Sequence, residues 1–157
     1  LLAKEGVDLQ VKVFADYVAA GDVVFPKTRA CVERMAARFK LGIASGALKG
    51  EIVTILEAAR LRHFFPVIVA ADDVTSCKPA PEPYLTAAQW LGVLPEACAA
   101  VEDSPPGLAA ARIAGMRTVG ITTTTTADLL TLADRVIHDL DELTPDLVAA
   151  LGPASAV

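Results

Sequence analysis

Residues 99–120, AAVEDSPPGLAAARIAGMRTVG, leave the chain few architectures to choose from. A short apolar run, Ala99 to Val101, stops at two adjacent carboxylates, Glu102 and Asp103. Ser104 and Pro105 then have the character of a helix N-cap and first helical residue. A run of small residues continues the helix to Gly115, a natural stop. A second apolar run follows from Arg117 to Ile121. The pattern predicts one βαβ unit with its charges at the carboxyl end of the first strand, the end at which open α/β sheets bind ligands. Two acids side by side there suit a hard cation such as Mg²⁺, which takes oxygen ligands and is usually held by one or two carboxylates.

The same alternation extends on both sides. Helices are predicted over residues 26–38, 48–59, 83–91 and 127–132, and from Pro145 onward; strands are predicted over 39–44, 67–71 and 135–138. Strands alternating with helices through short connections give a doubly wound parallel sheet. The five threonines at 122–126 read as a loop, since β-branched residues favour extended backbone. A hydrophobic content of 54% with only 5% aromatics fits a core of Ala, Val, Leu and Ile around a buried sheet.

Charge and length exclude several function classes. A net charge of −5 argues against nucleic acid or an anionic membrane as the main partner. The longest apolar run, residues 64–71, contains Pro66 and falls far below the roughly 18 residues of a membrane span. Cys31, Cys77 and Cys98 have no CxxC spacing and read as free thiols of a reducing compartment, which implies a cytoplasmic protein.

Three strand ends or following loops carry polar residues: Ser45, Lys78 and the pair Glu102–Asp103. In a parallel sheet these ends share one edge, so a hydroxyl donor, a cation and metal-holding acids converge as a phosphate site. The backbone N–H groups of Gly46, Ala47, Leu48 and Lys49 are further anion donors at a helix start. Asp72 and Asp73, at another strand end beside the site, read as capping residues or as residues supporting the metal-holding acids, rather than as metal ligands themselves. His63 and His138 have no partner at ligand spacing and read as structural; Trp90, Met35 and Met116 read as core.

IASG at 43–46, CKPAPEPYL at 77–85 and VEDSPPGLAAARIAGM at 101–116 resemble the second, third and fourth motifs of the haloacid dehalogenase superfamily, nearest its β-phosphoglucomutase-like phosphatase branch. The resemblance implies a Rossmann-like core that hydrolyses or transfers a phosphate ester through an aspartyl-phosphate, with Mg²⁺ as cofactor and a small sugar phosphate or related metabolite as substrate. By position, Ser45 and Lys78 would be catalytic, Ser45, Gly46 and Lys78 would hold phosphate, and Glu102 and Asp103 would hold the metal.

The first motif, an apolar strand ending in DxDGT that supplies the nucleophile, has no counterpart before Pro26. Residues 7–20 read as a helix and residues 1–22 as the remnant of a helical cap, with the core at 23–157. The usual central strand is then expected to be missing, so that a preceding segment or a second chain completes the sheet. The one DxD in the chain, Asp139–Leu140–Asp141, would serve as first motif only in a circular permutation; an edge strand with a polar turn is the preferred reading. The alternative function is an inactive relative that binds phosphate or a partner chain.

Overall fold

The computed structural model describes residues 11–12 and 26–154. Six parallel strands form one sheet: β1 (Val11–Lys12), β2 (Gly42–Ala44), β3 (Val67–Val69), β4 (Ala99–Glu102), β5 (Arg117–Ile121) and β6 (Arg135–Ile137), in the spatial order β3-β2-β1-β4-β5-β6. The helices are α1 (Pro26–Ala36), α2 (Lys49–Ala58), α3 (Glu82–Leu91), α4 (Pro105–Ile113) and α5 (Pro145–Ala150). Every residue of β2, β3 and β4 is buried. That is why these strands read as unbroken apolar runs: in a sheet covered on both faces neither side needs to be polar.

Strand side chains alternate between the two faces. Ile43, Ile68, Ala99, Val101, Val119 and Ile121 join Cys31, Val32 and Met35 of α1, Ile52 and Leu56 of α2 and Val148 of α5. Ala44, Val67, Val69 and Ala100 face the other way, onto Tyr84, Ala87, Ala88 and Leu91 of α3 and Ala110 and Ala111 of α4. The small residues of α4 let that helix lie close to the sheet.

The opening βαβ unit forms as its sequence predicts. β4 and β5 pair from Ala99↔Arg117 to Glu102↔Gly120. Ser104 caps α4, its Oγ accepting the Gly107 N–H at 3.2 Å. Gly115 ends the helix with φ +85°, in the left-handed region that only glycine enters without strain. The predicted helix over 127–132 contracts to a single 3₁₀ turn, Ala127–Leu129, after the threonine loop.

The expectation of a missing central strand is corrected. Val11–Lys12 lies between β2 and β4, with Lys12 opposite both Gly42 and Ala100. At these two residues the predicted helix over 7–20 gives way to a strand; the rest of that helix, and of the cap remnant at 1–22, lies outside the described residues. The physical reason is long-range. β2 and β4 both carry backbone groups that need partners in a buried interior, and the β-branched Val11 fits a ladder better than a helix. Trp90 is also corrected. It is 48% exposed on the outer side of α3, with the Lys49 ammonium 5.2 Å from its ring centroid.

All three cysteines are free. Burial pushes the thiol of Cys31 up to about 11 and that of Cys98 up to about 12, whereas Cys77 is exposed. Because thiolate is the reactive form, Ellman's reagent should label one thiol per native chain promptly and the other two only after denaturation. Prompt labelling of all three would contradict this packing. Among the described residues, no helix is long and apolar enough to cross a membrane.

Candidate functional site

The carboxyl edge of the sheet gathers the predicted site. Glu102 is the last residue of β4, Asp103 follows it, and Ser45 follows β2; β1 is the strand between β2 and β4. Ser45 therefore stands two strand spacings from Glu102, roughly 10 Å across the sheet. Lys78 arrives on the loop between β3 and α3, next to a cis Lys78–Pro79 bond.

Lys78 and Glu102 meet. The Lys78 Nζ donates to Glu102 Oε1 at 2.5 Å, in a pair whose side chains are 13% and 2% exposed. The Tyr84 hydroxyl, on the buried face of α3, donates to the same oxygen. The other oxygen, Oε2, lies 3.5 Å from Ser104 Oγ. Asp103 is 5% exposed, and its Oδ2 accepts the Thr124 hydroxyl at 2.8 Å. Thr124 belongs to the threonine loop after β5, which thereby borders the site.

The first turn of α4 lies directly under these acids. Pro105 and Pro106 carry no N–H, so Gly107 and Leu108 supply the first donors of the helix, bonded to Ser104 Oγ and Ser104 O. The positive end of the helix dipole favours the neighbouring carboxylates. Gly107 makes the close approach possible: a Cβ built there falls well inside contact distance of the Glu102 carboxylate.

The arrangement fits a divalent cation on its own chemistry. Glu102 and Asp103 are two buried hard-oxygen donors, and burying a carboxylate costs several kcal/mol unless it is compensated. Lys78 neutralises one of them, whereas the Thr124 hydroxyl beside Asp103 carries no charge. Among the described residues, no group of three or more His, Cys, Asp or Glu gathers into a metal cage. Two neighbouring carboxylates are a donor set of the kind through which Mg²⁺ binds while keeping several waters and meeting substrate oxygens.

The candidate anion site at the start of α2 is largely filled by the chain itself. The Ala47 N–H donates to Ser45 Oγ at 3.1 Å, that of Leu48 to Glu51 Oε2 at 3.2 Å, and that of Lys49 to Asp72 Oδ1 at 2.9 Å. This corrects the expectation of four available donors. Gly46 alone keeps its place at an exposed bend, where a Cβ would meet nothing within 4 Å.

Asp72 and Asp73 act as capping residues. For Asp73, burial pulls its carboxyl upward, but hydrogen bonds from Lys49 Nζ and the Ala70 N–H outweigh it and hold the group below its ordinary value.

Asp139 does not join the site. It follows the edge strand β6, two positions from β4, and Lys27 Nζ binds it at 2.7 Å and Asp141 at 3.1 Å. The hydrogen bond from Lys27 and one from the Asp141 N–H hold its carboxyl below the ordinary range. His138 Nδ1 lies 3.0 Å from Thr122 Oγ1, and His63 is exposed against the Phe64 ring.

Three site residues escaped sequence reasoning: Tyr84, Thr124 and Gly107. Tyr84 sits inside CKPAPEPYL, and a buried tyrosine hydroxyl needs a partner. Gly107 stands three residues after the N-cap, where a helix-forming residue would be ordinary.

The chain is similar to known proteins over most of its described length. The family model described as haloacid dehalogenase-like hydrolase matches residues 15–121. Protein CbbY of Rhodobacter capsulatus is 38% identical over 111 residues, covering 68% of this chain and 49% of that protein. The fructose-1-phosphate phosphatase YqaB of Escherichia coli (strain K12) is 39% identical over 84 residues, 54% of this chain and 45% of that protein. The crystal structure of CbbY from Rhodobacter sphaeroides in complex with phosphate superposes with a TM-score of 0.68 at 31% identity, over 75% of this chain and 55% of that one. The chain spans about half the length of the curated relatives it matches. With the matched residues running from β2 through β5 and taking in Ser45, Lys78, Glu102 and Asp103, the chain belongs to the haloacid dehalogenase-like hydrolase family.

Proposed function

We propose that this chain carries the phosphate- and cation-holding part of a phosphohydrolase or phosphomutase site for a small phosphorylated sugar or related metabolite. The observation that carries the reading is the buried Lys78–Glu102 pair beside Asp103, on the same sheet edge as Ser45. The substrate class is supported by the names of the relatives: one is a fructose-1-phosphate phosphatase, and a CbbY structure holds phosphate. Free thiols on all three cysteines suit a reducing compartment, so we place the protein in the cytoplasm.

In this reading the Ser45 hydroxyl and the Gly46 N–H donate to phosphoryl oxygens from one side, and the Lys78 ammonium donates from the other. Together they hold the phosphorus in line for attack, where positioning and charge stabilisation supply most of the rate. Glu102 and Asp103 would hold Mg²⁺, which neutralises phosphoryl charge when bound. Glu102 also fixes Lys78, so the ammonium meets the substrate in one orientation.

In this reading the attacking carboxylate is not drawn from residues 26–154, which is supported by Asp72 and Asp73 capping the start of α2 and by Asp139 pairing with Lys27 at the far edge. The test is p-nitrophenyl phosphate with Mg²⁺. This chain alone should release no nitrophenol above a buffer control. Turnover abolished by Asp139→Asn would place the nucleophile on the turn after β6 and overturn this assignment.

A further inference from the structure

Tyr84 is buried completely, and its hydroxyl reaches the Glu102 oxygen that also receives Lys78. The Lys78 ammonium also lies 5.5 Å from the centroid of the Tyr84 ring. One rigid ring thus touches both members of the ion pair. Glutamate and lysine side chains lose substantial rotamer freedom when they are held in one geometry. A tyrosine has few rotatable bonds, and this one lies in the buried cluster that includes Ala44, Val69, Ala87 and Ala100. The first turn of α4 also closes in on the carboxylate, at Gly107. The carboxylate is therefore confined by both a ring hydroxyl and a helix start.

We propose that Tyr84 is a positioning residue for the cation: by holding Oε1 of Glu102 it fixes the carboxylate orientation that a divalent metal meets. The inference rests on the cation reading given under Proposed function. Hydrogen-bond partners of metal-binding groups commonly contribute 10–100-fold to metal affinity. Tyr84→Phe keeps the ring and its packing and removes only the hydroxyl.

The experiment titrates the chain with Mn²⁺ by calorimetry, for the wild type, Tyr84→Phe, Glu102→Gln, the double variant and Asp103→Asn, with circular dichroism to verify folding. Tyr84→Phe should bind Mn²⁺ roughly 10–100-fold more weakly than wild type. Adding it to Glu102→Gln should cost nothing further, because its effect runs through that carboxylate. Wild-type affinity in Tyr84→Phe would overturn the inference and leave the cation reading standing. An equal loss in both backgrounds would assign Tyr84 to packing and also overturn it. Asp103→Asn should lose Mn²⁺; wild-type affinity there would defeat the cation reading and this inference together.

If Tyr84→Phe does not fold, the unaltered chain decides. With tyrosine labelled at Cζ and Mg²⁺ as titrant, the Tyr84 resonance should shift with the midpoint of calorimetric binding. The chain has two tyrosines, so Tyr17→Phe assigns the signal. A Tyr84 resonance unmoved at Mg²⁺ saturation would overturn the inference.

Discussion

Replacing Lys78 with methionine should destabilise the folded chain by about 3–5 kcal/mol, the range for removing one partner of a buried ion pair. Methionine approximates the lysine side chain without its terminal ammonium and preserves most of the packing of the stem, so the loss chiefly reports the charge. It leaves Glu102, 2% exposed, with its carboxylate in the interior and without its ammonium. The Tyr84 hydroxyl is among the groups that still reach Oε1, but a neutral hydrogen bond by itself does not offset a buried charge. The double variant Lys78→Met/Glu102→Gln should recover most of the stability, because a neutral amide can still accept from Tyr84. Urea unfolding measures both. A Lys78→Met chain as stable as wild type would mean that the pair is solvated and that the site edge is not closed as described.

Gly107→Ala carries the second large effect, and its sign opposes helix propensity. Alanine normally stabilises a helical position by about 1 kcal/mol relative to glycine. Here the new methyl group would fall on the Glu102 carboxylate, which Lys78 and Tyr84 hold in place. Relief requires moving either α4 or Glu102, and overpacking of this kind costs about 1–3 kcal/mol. The steric term wins because the obstructing group is itself fixed. Gly107→Ala should therefore lower stability and weaken Mg²⁺ binding together. Gly46→Ala, where a Cβ meets nothing, provides the control and should leave stability almost unchanged. A Gly107→Ala chain more stable than wild type would show that Glu102 can swing away freely.

What the sequence makes legible here is local. Ser104, Pro105 and Gly115 mark the two ends of α4 because caps and stops act on neighbouring backbone groups. Apolar runs ending in Ser45 and in Glu102–Asp103 mark strands, and parallel topology alone brings their carboxyl ends to one edge. The illegible parts depend on contacts distant in the chain. Glu102 is 18 residues from the Tyr84 hydroxyl, and Asp103 is 21 from Thr124, with no spacing rule to connect them. The same holds for Val11–Lys12, whose place is set by the unpaired edges of β2 and β4. At the start of α2, the sequence shows backbone donors but not that Asp72, 23 residues on, takes one of them. Residue type alone sends Trp90 to the core, whereas the inward face of α3 is already filled by Tyr84, Ala87, Ala88 and Leu91.

In the proposed function, Lys78, Ser45, Glu102 and Asp103 form one site in which cation and phosphate support each other. Two ligands sharing a site must each raise the affinity for the other by the same factor. Calorimetric titration with inorganic phosphate, with and without saturating Mg²⁺, reads that factor directly. Phosphate should bind several-fold more tightly with Mg²⁺ to the wild-type chain, and the gain should vanish in Asp103→Asn. Phosphate affinity unchanged by Mg²⁺ in the wild-type chain would mean that the two ligands do not share this site.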